Sequence, residues 1–212
     1  MKALMFGGAF NPPTKAHIEL GDLVRRALGY DRVIYVPTKS DYIENTQKKN
    51  FAFSNEERLS MLRDVSVMRP WMSVSDYELT ASQQPRTYQT LQYLKKTYHC
   101  DELKLLMGTD KLEELDPMKG IWMFSEEICR EFGIVVMERS RDDARRIIQR
   151  NAFLMKMNKF FTIVKTPDTY ADISSTQVRK LFCEIQDDMA KLDDMMPREL
   201  NGLRNEIMKK VQ

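Results

Sequence analysis

The first twenty residues, MKALMFGGAFNPPTKAHIEL, restrict this chain more than any other stretch. Ala3 to Phe6 is a short apolar run that stops at Gly7 and Gly8, the pattern of a buried strand meeting a turn. Neither glycine has a side chain to hold a ligand's phosphates away from the backbone. Beyond Pro12 and Pro13 the pattern becomes helical, and Thr14 and His17 share one helical face because they lie three apart. A strand, a glycine turn and a helix opening with a hydroxyl and an imidazole compose a candidate phosphate site.

The chain continues in the same alternation. Ile18, Leu20, Leu23, Val24, Ala27 and Leu28 form a helical stripe that stops at Gly29, and Arg32 to Pro37 reads as a second buried strand. Strand, helix, strand gives a right-handed βαβ unit with its ligand side at the strand C-termini. Ser54 and Glu57 form a capping box ahead of a helix to Val67, whose stripe is Leu59, Leu62 and Val65, with Arg58 and Arg63 off it. Trp71 to Leu79 alternates as a strand, and Thr87 to Tyr98 as a helix. Leu103 to Met107 ends at Gly108 and is followed by Thr109 and Asp110, repeating the strand-then-glycine logic of the N-terminus. Leu112 to Phe132 reads as mostly helical with a break at Pro117 and Gly120, followed by strands at Ile134 to Met137 and Phe160 to Val164 and a helix between them at Ala144 to Lys156. The expected fold is α/β, a doubly wound parallel sheet in one domain over residues 1–182. A helical C-terminal extension over 183–212, with a helix from Pro197 to Lys210, completes it.

Two polar stretches interrupt this order. Thr38 to Phe53 has no sustained period and reads as a long loop over the ligand edge, from which Lys39, Lys48 and Lys49 either reach an anion or are solvated. Glu138 to Asp143 reads as a charged junction with a solvated face.

Bulk properties exclude several classes. With 33 basic and 31 acidic side chains the net charge is only +2, so a nucleic-acid carrier is not indicated and any polyanion site is local. No apolar run approaches membrane-spanning length, so the expectation is a cytoplasmic protein without membrane contact. Cys100, Cys129 and Cys183 form no C-x-x-C pair, and His17 and His99 are the only histidines, which argues against structural zinc and a disulfide framework.

Near the other end, Asp172 to Arg179 reads DISSTQVR. Ser174, Ser175 and Thr176 offer three hydroxyls at a helix start, and Arg179 follows about one turn later. Taken alone, the stretch is better explained as an ordinary N-cap with a solvent arginine. Arg86, Thr87 and Tyr88 open another helix and bind anion or ring, or are a plain helix start. There is no G-x-x-x-x-G-K-[ST], no G-x-G-x-x-G and no G-x-S-x-G elbow. Phosphate recognition at both ends of a chain without a covalent nucleophile suits in-line nucleotidyl transfer, in which the protein supplies position and positive electrostatics.

GGAFNPPTKAH resembles the G-x-F-x-P-x-[HT]-x-G-H signature of the nucleotidyltransferase superfamily, and ISSTQVR resembles its I-S-S-T-x-x-R signature. SNEERLSML, RTYQTL and LLMGTD are similar to its nicotinate- or nicotinamide-nucleotide adenylyltransferase branch, and the similarity covers roughly residues 1 to 182. The resemblance implies a Rossmann-like nucleotidyltransferase fold. It implies adenylyl transfer from ATP to nicotinic acid mononucleotide, giving nicotinic acid adenine dinucleotide and pyrophosphate in NAD biosynthesis. Nicotinamide mononucleotide, phosphopantetheine and cytidylyl substrates stay open, as does nucleotide binding without turnover.

By the same resemblance, His17, Thr14 and Arg179 are catalytic, with His17 stabilising the α-phosphate. Gly7, Gly8, Ala9 and Phe10 line a backbone cradle for ATP, Gly108 and Asp110 sit against a ribose, and Ser174, Ser175 and Thr176 hold the outer phosphates. Lys49, Arg86, Thr87, Tyr88 and Trp122 face the pyridine mononucleotide. Mg²⁺ is bound mainly through ATP phosphates rather than protein ligands, and a homo-oligomer is admitted. Three positions depart from the pattern: Thr14 stands for the first histidine of the signature, Ala16 for a glycine, and Met118 where many members carry a tryptophan.

Overall fold

The computed structural model describes residues 1–45, 53–139, 142–184 and 189–203. Strands β1 (Lys2–Gly8), β2 (Arg32–Pro37), β3 (Met72–Val74), β4 (Glu102–Gly108), β5 (Ile134–Glu138) and β6 (Phe161–Lys165) form one sheet in the order β3-β2-β1-β4-β5-β6. Every neighbouring pair is parallel, with Met5 opposite Ile34 on one side and Leu105 on the other. The helices are α1 (Lys15–Leu28), α2 (Ser40–Asn45), α3 (Asn55–Val67), α4 (Tyr77–Thr80), α5 (Thr87–Thr97), α6 (Ser125–Glu131), α7 (Ala144–Arg150), α8 (Ala152–Met157), α9 (Ser175–Glu184) and α10 (Met189–Met195).

Strand periodicity splits the core in two. Leu4 and Phe6 of β1 face a cluster built with Ile18 and Val24 of α1, Leu62 of α3, Val178 of α9 and Leu192 of α10. Ala3 and Met5 face the opposite cluster, with Leu91 and Leu94 of α5, Ile128 of α6, Ile148 of α7 and Leu154 of α8. Both faces of a parallel sheet are thus covered, which is why its central strands read as continuous apolar runs. Met195, Met196 and Leu200 are buried in the first cluster, so the chain after α9 packs on the same core.

Several expected elements differ. The stretch Trp71 to Leu79 is only partly strand: β3 is three residues, and α4 follows at once because its turn carries the Glu78 carboxylate inward to Thr90 Oγ1, which donates at 2.8 Å. The expected loop after Thr38 contains α2, which begins where Ser40 N–H donates to Asn55 Oδ1 at 2.8 Å; Lys48 and Lys49 lie outside the described residues. The helical stretch expected from Leu112 begins instead as 3₁₀ turns at Thr109–Leu115 and Pro117–Lys119. Asp116, which accepts from Met118 N–H, and left-handed Gly120 break it before α6. The long helix over residues 144–156 is divided at Asn151, whose Oδ1 caps α8 through Leu154 N–H while its Nδ2 donates to Asp116 Oδ2 at 2.7 Å. After Pro197 the described chain is a 3₁₀ segment, Arg198–Leu203, and residues 204–212 lie outside the description. Among the described residues no helix is long and apolar enough to cross a membrane.

Candidate active site

The strand order reverses between β1 and β4, and in an open parallel sheet the crevice beyond the carboxyl ends of such strands is the ligand position. A cleft of ≈ 520 Å³ opens there. Ala9, Asn11 and His17 line it from the turn and helix after β1, Asp110 from the turn after β4, and Arg139 and Asp142 from the junction after β5. Ala171, Ser174, Ser175, Thr176 and Arg179 close it from the segment leading into α9.

His17 is held from several sides. Thr14 is fully buried and caps α1: His17 N–H donates to Thr14 Oγ1 at 3.4 Å, and Thr14 N–H donates to His17 Nδ1 at 3.0 Å. Thr14 Oγ1 also lies 2.8 Å from Nδ1. A backbone N–H only donates, so Nδ1 accepts and the neutral ring keeps its proton on Nε2. The Phe10 ring meets the imidazole edge-on at a centroid distance of 5.2 Å, and Tyr35 OH donates to the His17 carbonyl at 3.0 Å. Tyr35 reaches that carbonyl only because residue 21 is glycine; a Cβ there would stand 2.3 Å from the tyrosine oxygen. Burial raises the Tyr35 pKa, so its hydroxyl stays a donor.

The two motifs at opposite ends of the sequence touch directly. Ser175 Oγ donates to the Pro12 carbonyl at 2.8 Å, and Arg179 Nη1 donates to the Asn11 carbonyl at 2.6 Å. Arg179 Nη2 also donates to Thr176 Oγ1 at 3.3 Å. Ser174 Oγ accepts from Gln177 N–H at 3.2 Å and caps α9. Two helix N-termini, those of α1 and α9, therefore flank one cleft, where their unpaired N–H groups and dipoles favour an anion.

On the third side, the Asp110 carboxylate turns back over Gly108, where a Cβ would meet its Oδ1 at 2.5 Å. Thr109 Oγ1 fixes this turn by donating to the Met137 carbonyl at 2.9 Å. Arg139 and Asp142, read from the sequence as part of a solvated face, are exposed yet line the cleft, with Asp142 N–H donating to the Arg139 carbonyl at 2.8 Å. Their position just after β5, the neighbour of β4, was the available signal. Among the described residues no group of three or more His, Cys, Asp or Glu side chains is arranged to hold a metal ion.

The remaining candidates fall into other places. Gly7, Gly8, Phe10, Thr14 and Gly108 shape the cleft from behind its lining; the Phe10 side chain is only 1% exposed, and its backbone lies in the left-handed region at φ 44°. Arg86, Thr87, Tyr88 and Trp122 do not line the cleft. Tyr88 OH donates to both Glu131 carboxylate oxygens, at 2.8 and 2.9 Å, and its ring stacks on Phe124. Trp122 Nε1 donates to Glu114 Oε2 at 3.2 Å, and Met118 is 92% exposed. Lys49 lies outside the described residues.

Three buried ionisable side chains escape the sequence reading, and one of them, Glu138, expected on a solvated face, is buried, its Oε2 accepting from Ala144 N–H at 2.8 Å at the start of α7. Arg58, which helical periodicity leaves off the apolar stripe, is fully buried. Its guanidinium donates to the carbonyls of Phe53 (3.0 Å) and Ala9 (2.7 Å), to Ser40 Oγ (3.1 Å) and to Asn55 Oδ1 (2.8 Å). Those oxygens come from three stretches of the chain, at Ala9, Ser40 and Phe53 to Asn55, and no periodic pattern announces them. Burial lowers its pKa to about 10, which leaves it charged near neutrality. Glu78, bonded to Thr90 and Gln84, is the third.

Two helix N-termini and their polar side chains gathered at the switch point of a doubly wound sheet place this molecule in the Rossmann-like class of α/β proteins. The chain belongs to the cytidylyltransferase-like family, whose model matches residues 5–181. It is 29% identical over 184 residues to a probable nicotinate-nucleotide adenylyltransferase of Caldicellulosiruptor saccharolyticus, covering 87% of this chain and 88% of that protein. A probable nicotinate-nucleotide adenylyltransferase of Endomicrobium trichonymphae is 27% identical over 199 residues, 94% of this chain and 93% of its own. Among solved structures, the nicotinic acid mononucleotide adenylyltransferase of Plasmodium falciparum complexed with APC superposes with a TM-score of 0.73 at 16% identity. That match covers 100% of this chain and 98% of the other and bears out the doubly wound fold.

Proposed function

We propose that this protein transfers the adenylyl group of ATP to nicotinic acid mononucleotide, releasing pyrophosphate and forming nicotinic acid adenine dinucleotide in NAD biosynthesis. The observation that carries the reading is the direct contact of the two phosphate-binding motifs, Arg179 to Asn11 and Ser175 to Pro12, around the cleft that His17 lines. The names of the relatives, spread over most of both chains, support the choice of substrates.

In this reaction an oxygen of the mononucleotide phosphate attacks the α-phosphorus of ATP. The new P–O bond forms as the bond to the β-phosphate bridging oxygen breaks, and pyrophosphate leaves with that electron pair. No protein nucleophile takes part, so the protein contributes position and electrostatics. The Nε2–H of His17 donates to an α-phosphate oxygen that gains charge in the transition state. The N-terminus of α9, with Ser174, Ser175, Thr176 and Arg179, holds the leaving phosphates. Asp110 sits against a ribose, and Arg86, Thr87, Tyr88 and Trp122, with Lys49, receive the pyridine nucleotide. Mg²⁺ accompanies ATP as part of the substrate and neutralises its triphosphate, with phosphate and water oxygens as its main ligands.

The test is pyrophosphate release from ATP with nicotinic acid mononucleotide, nicotinamide mononucleotide and phosphopantetheine in parallel, and from CTP as a second donor. The expected result is the highest kcat/KM with ATP and nicotinic acid mononucleotide. Preference for another acceptor or donor redirects the assignment, and ATP binding without turnover on any of them overturns it.

A further inference from the structure

The guanidinium of Arg58 is fully buried, and among the described residues its hydrogen bonds go to neutral oxygens rather than to a carboxylate. A buried cation is costly unless its protons are met by hydrogen bonds, so the oxygens placed around it form a built feature rather than a by-product of packing. One of those oxygens, the carbonyl of Ala9, belongs to a residue that lines the cleft.

The consequence follows from peptide geometry. In a planar trans peptide the C=O of one residue and the N–H of the next point in opposite directions. Gly8 O is engaged by Thr38 N–H at 3.0 Å and Ala9 O by Arg58 Nη1 at 2.7 Å, and neither Thr38 nor Arg58 lines the cleft. The N–H groups of Ala9 and Phe10 are therefore directed the other way, and among the described residues neither has an acceptor. Phe10 holds a left-handed φ of 44°, a conformation that a bulky residue keeps only where its surroundings enforce it. The clamp also ties this turn to the starts of α2 and α3 through Ser40 and Asn55.

We infer that Arg58 is a positioning residue for phosphate recognition, pinning the Ala9 carbonyl so that the Phe10 N–H is aimed at an anionic oxygen of the nucleotide in the cleft. This rests on reading the cleft as the ATP site. Without the clamp the Ala9–Phe10 peptide is free to rotate and present a carbonyl, a repulsive group, to the phosphate.

The test compares wild-type protein with Arg58→Lys and Arg58→Gln, each of which keeps a hydrogen-bonding head in the buried space. Selective ¹⁵N-phenylalanine labelling follows the Phe10 amide during titration with ATP, alongside melting curves and steady-state kinetics. In the wild type the Phe10 amide shifts saturably. In the variants the expected result is a folded protein, a Phe10 amide that no longer responds, and kcat lower by roughly 10²-fold, the scale of a misplaced or lost donor. The KM for the mononucleotide moves little, and Arg58→Lys retains more activity than Arg58→Gln. Variants whose Phe10 amide responds as in the wild type, or whose kcat stays within about twofold, overturn the inference while leaving the ATP site intact. Two variants that fail to fold assign Arg58 a structural role only, which also overturns it. A wild-type amide indifferent to ATP overturns it as well, and if the wild-type protein binds no ATP at all, the adenylyl-transfer reading falls with it.

Discussion

Thr14 N–H lies 3.0 Å from His17 Nδ1, and that one hydrogen bond decides where the imidazole keeps its proton. Because the amide donates, Nδ1 is the acceptor and Nε2–H is the donor. The same capping box that starts α1 therefore sets the tautomer of the cleft histidine. Local helix-start chemistry and the proposed transition-state contact are one arrangement.

Replacing His17 removes the donor while leaving the sheet untouched. His17→Ala is expected to lower kcat by about 10²-fold to 10³-fold, the usual loss for one preorganised donor, with a near-native circular dichroism spectrum. Near-native turnover in that variant rules out the role assigned to the ring.

Thr14→Val separates the backbone contact from the hydroxyl. The N–H to Nδ1 bond survives, whereas the Oγ1 cap on His17 N–H is lost. Stability should fall by about 1 kcal/mol, the typical worth of an N-cap, and activity by much less than in His17→Ala. Chemical denaturation and initial rates measure the two effects separately; equal losses of activity in both variants would show that the hydroxyl, not the amide, sets the ring.

Gly21 and Tyr35 form a second testable pair. Exchange of glycine for alanine in a helix normally stabilises by up to about 1 kcal/mol. Here the added Cβ would lie 2.3 Å from Tyr35 Oη, in a site where both residues are buried. Gly21→Ala is expected to destabilise by about 1–3 kcal/mol through overpacking, and Gly21→Ala with Tyr35→Phe to recover part of it. Urea denaturation of the two single variants and the double variant gives the coupling.

Most of this architecture is legible in the sequence because apolar runs and glycine stops report local geometry. β1, β2, β4 and β5 appear as apolar runs, β6 as a strand at Phe160 to Val164, and the capping box at Ser54 is local enough to read, whereas the one at Thr14, closed by a histidine, is not. Arg58 and Glu78 are not legible, because a charged residue defaults to the surface and no local pattern announces that Ala9 and Ser40, or Thr90 and Gln84, will fold around them. The sequence also offers Ser175 and Arg179 as phosphate ligands, but not their bonds to Pro12 and Asn11, which exist only once β1 and α9 are brought together. Short elements blur for another reason: β3 reads as too long a strand that absorbs α4, because neither contains enough residues to establish a period.

Gly108 has an ordinary φ, so alanine there is not excluded by the backbone; the obstacle is the Asp110 carboxylate at 2.5 Å from the new Cβ. Gly108→Ala should displace that carboxylate and raise the KM for nucleotide severalfold with little change in melting temperature. Asp110→Ala should produce a similar rise, and the two together no more than either alone. Steady-state KM values for the three variants decide it, and additive effects would argue that Gly108 acts independently of Asp110.

Glu78 supplies the pH dependence. Its carboxyl is nearly enclosed, and burial pushes its pKa up from 4.5 to about 7, against the opposing hydrogen bonds from Thr90 and Gln84. A raised pKa means the native state holds the proton more tightly than the unfolded chain. The associated stability is fully present below about pH 4.5, declines as the unfolded chain loses its proton, and is gone once pH passes about 7. Thr90 Oγ1, which donates to Glu78 Oε1 at 2.8 Å, also lies 3.4 Å from the Arg86 carbonyl, so on protonation of Glu78 its hydroxyl has a second acceptor and its oxygen is left to accept from the carboxyl O–H. Glu78→Gln reproduces that arrangement permanently, with its NH₂ toward Thr90 and its carbonyl accepting from Gln84. The variant is therefore expected to match the wild type near pH 4.5 and to exceed it above pH 7, by an amount bounded at roughly 3 kcal/mol from the size of the shift. Urea unfolding at pH 4.5, 6 and 8 measures the difference. A difference that is constant with pH would mean that Glu78 titrates normally and that its burial is offset by groups other than Thr90 and Gln84.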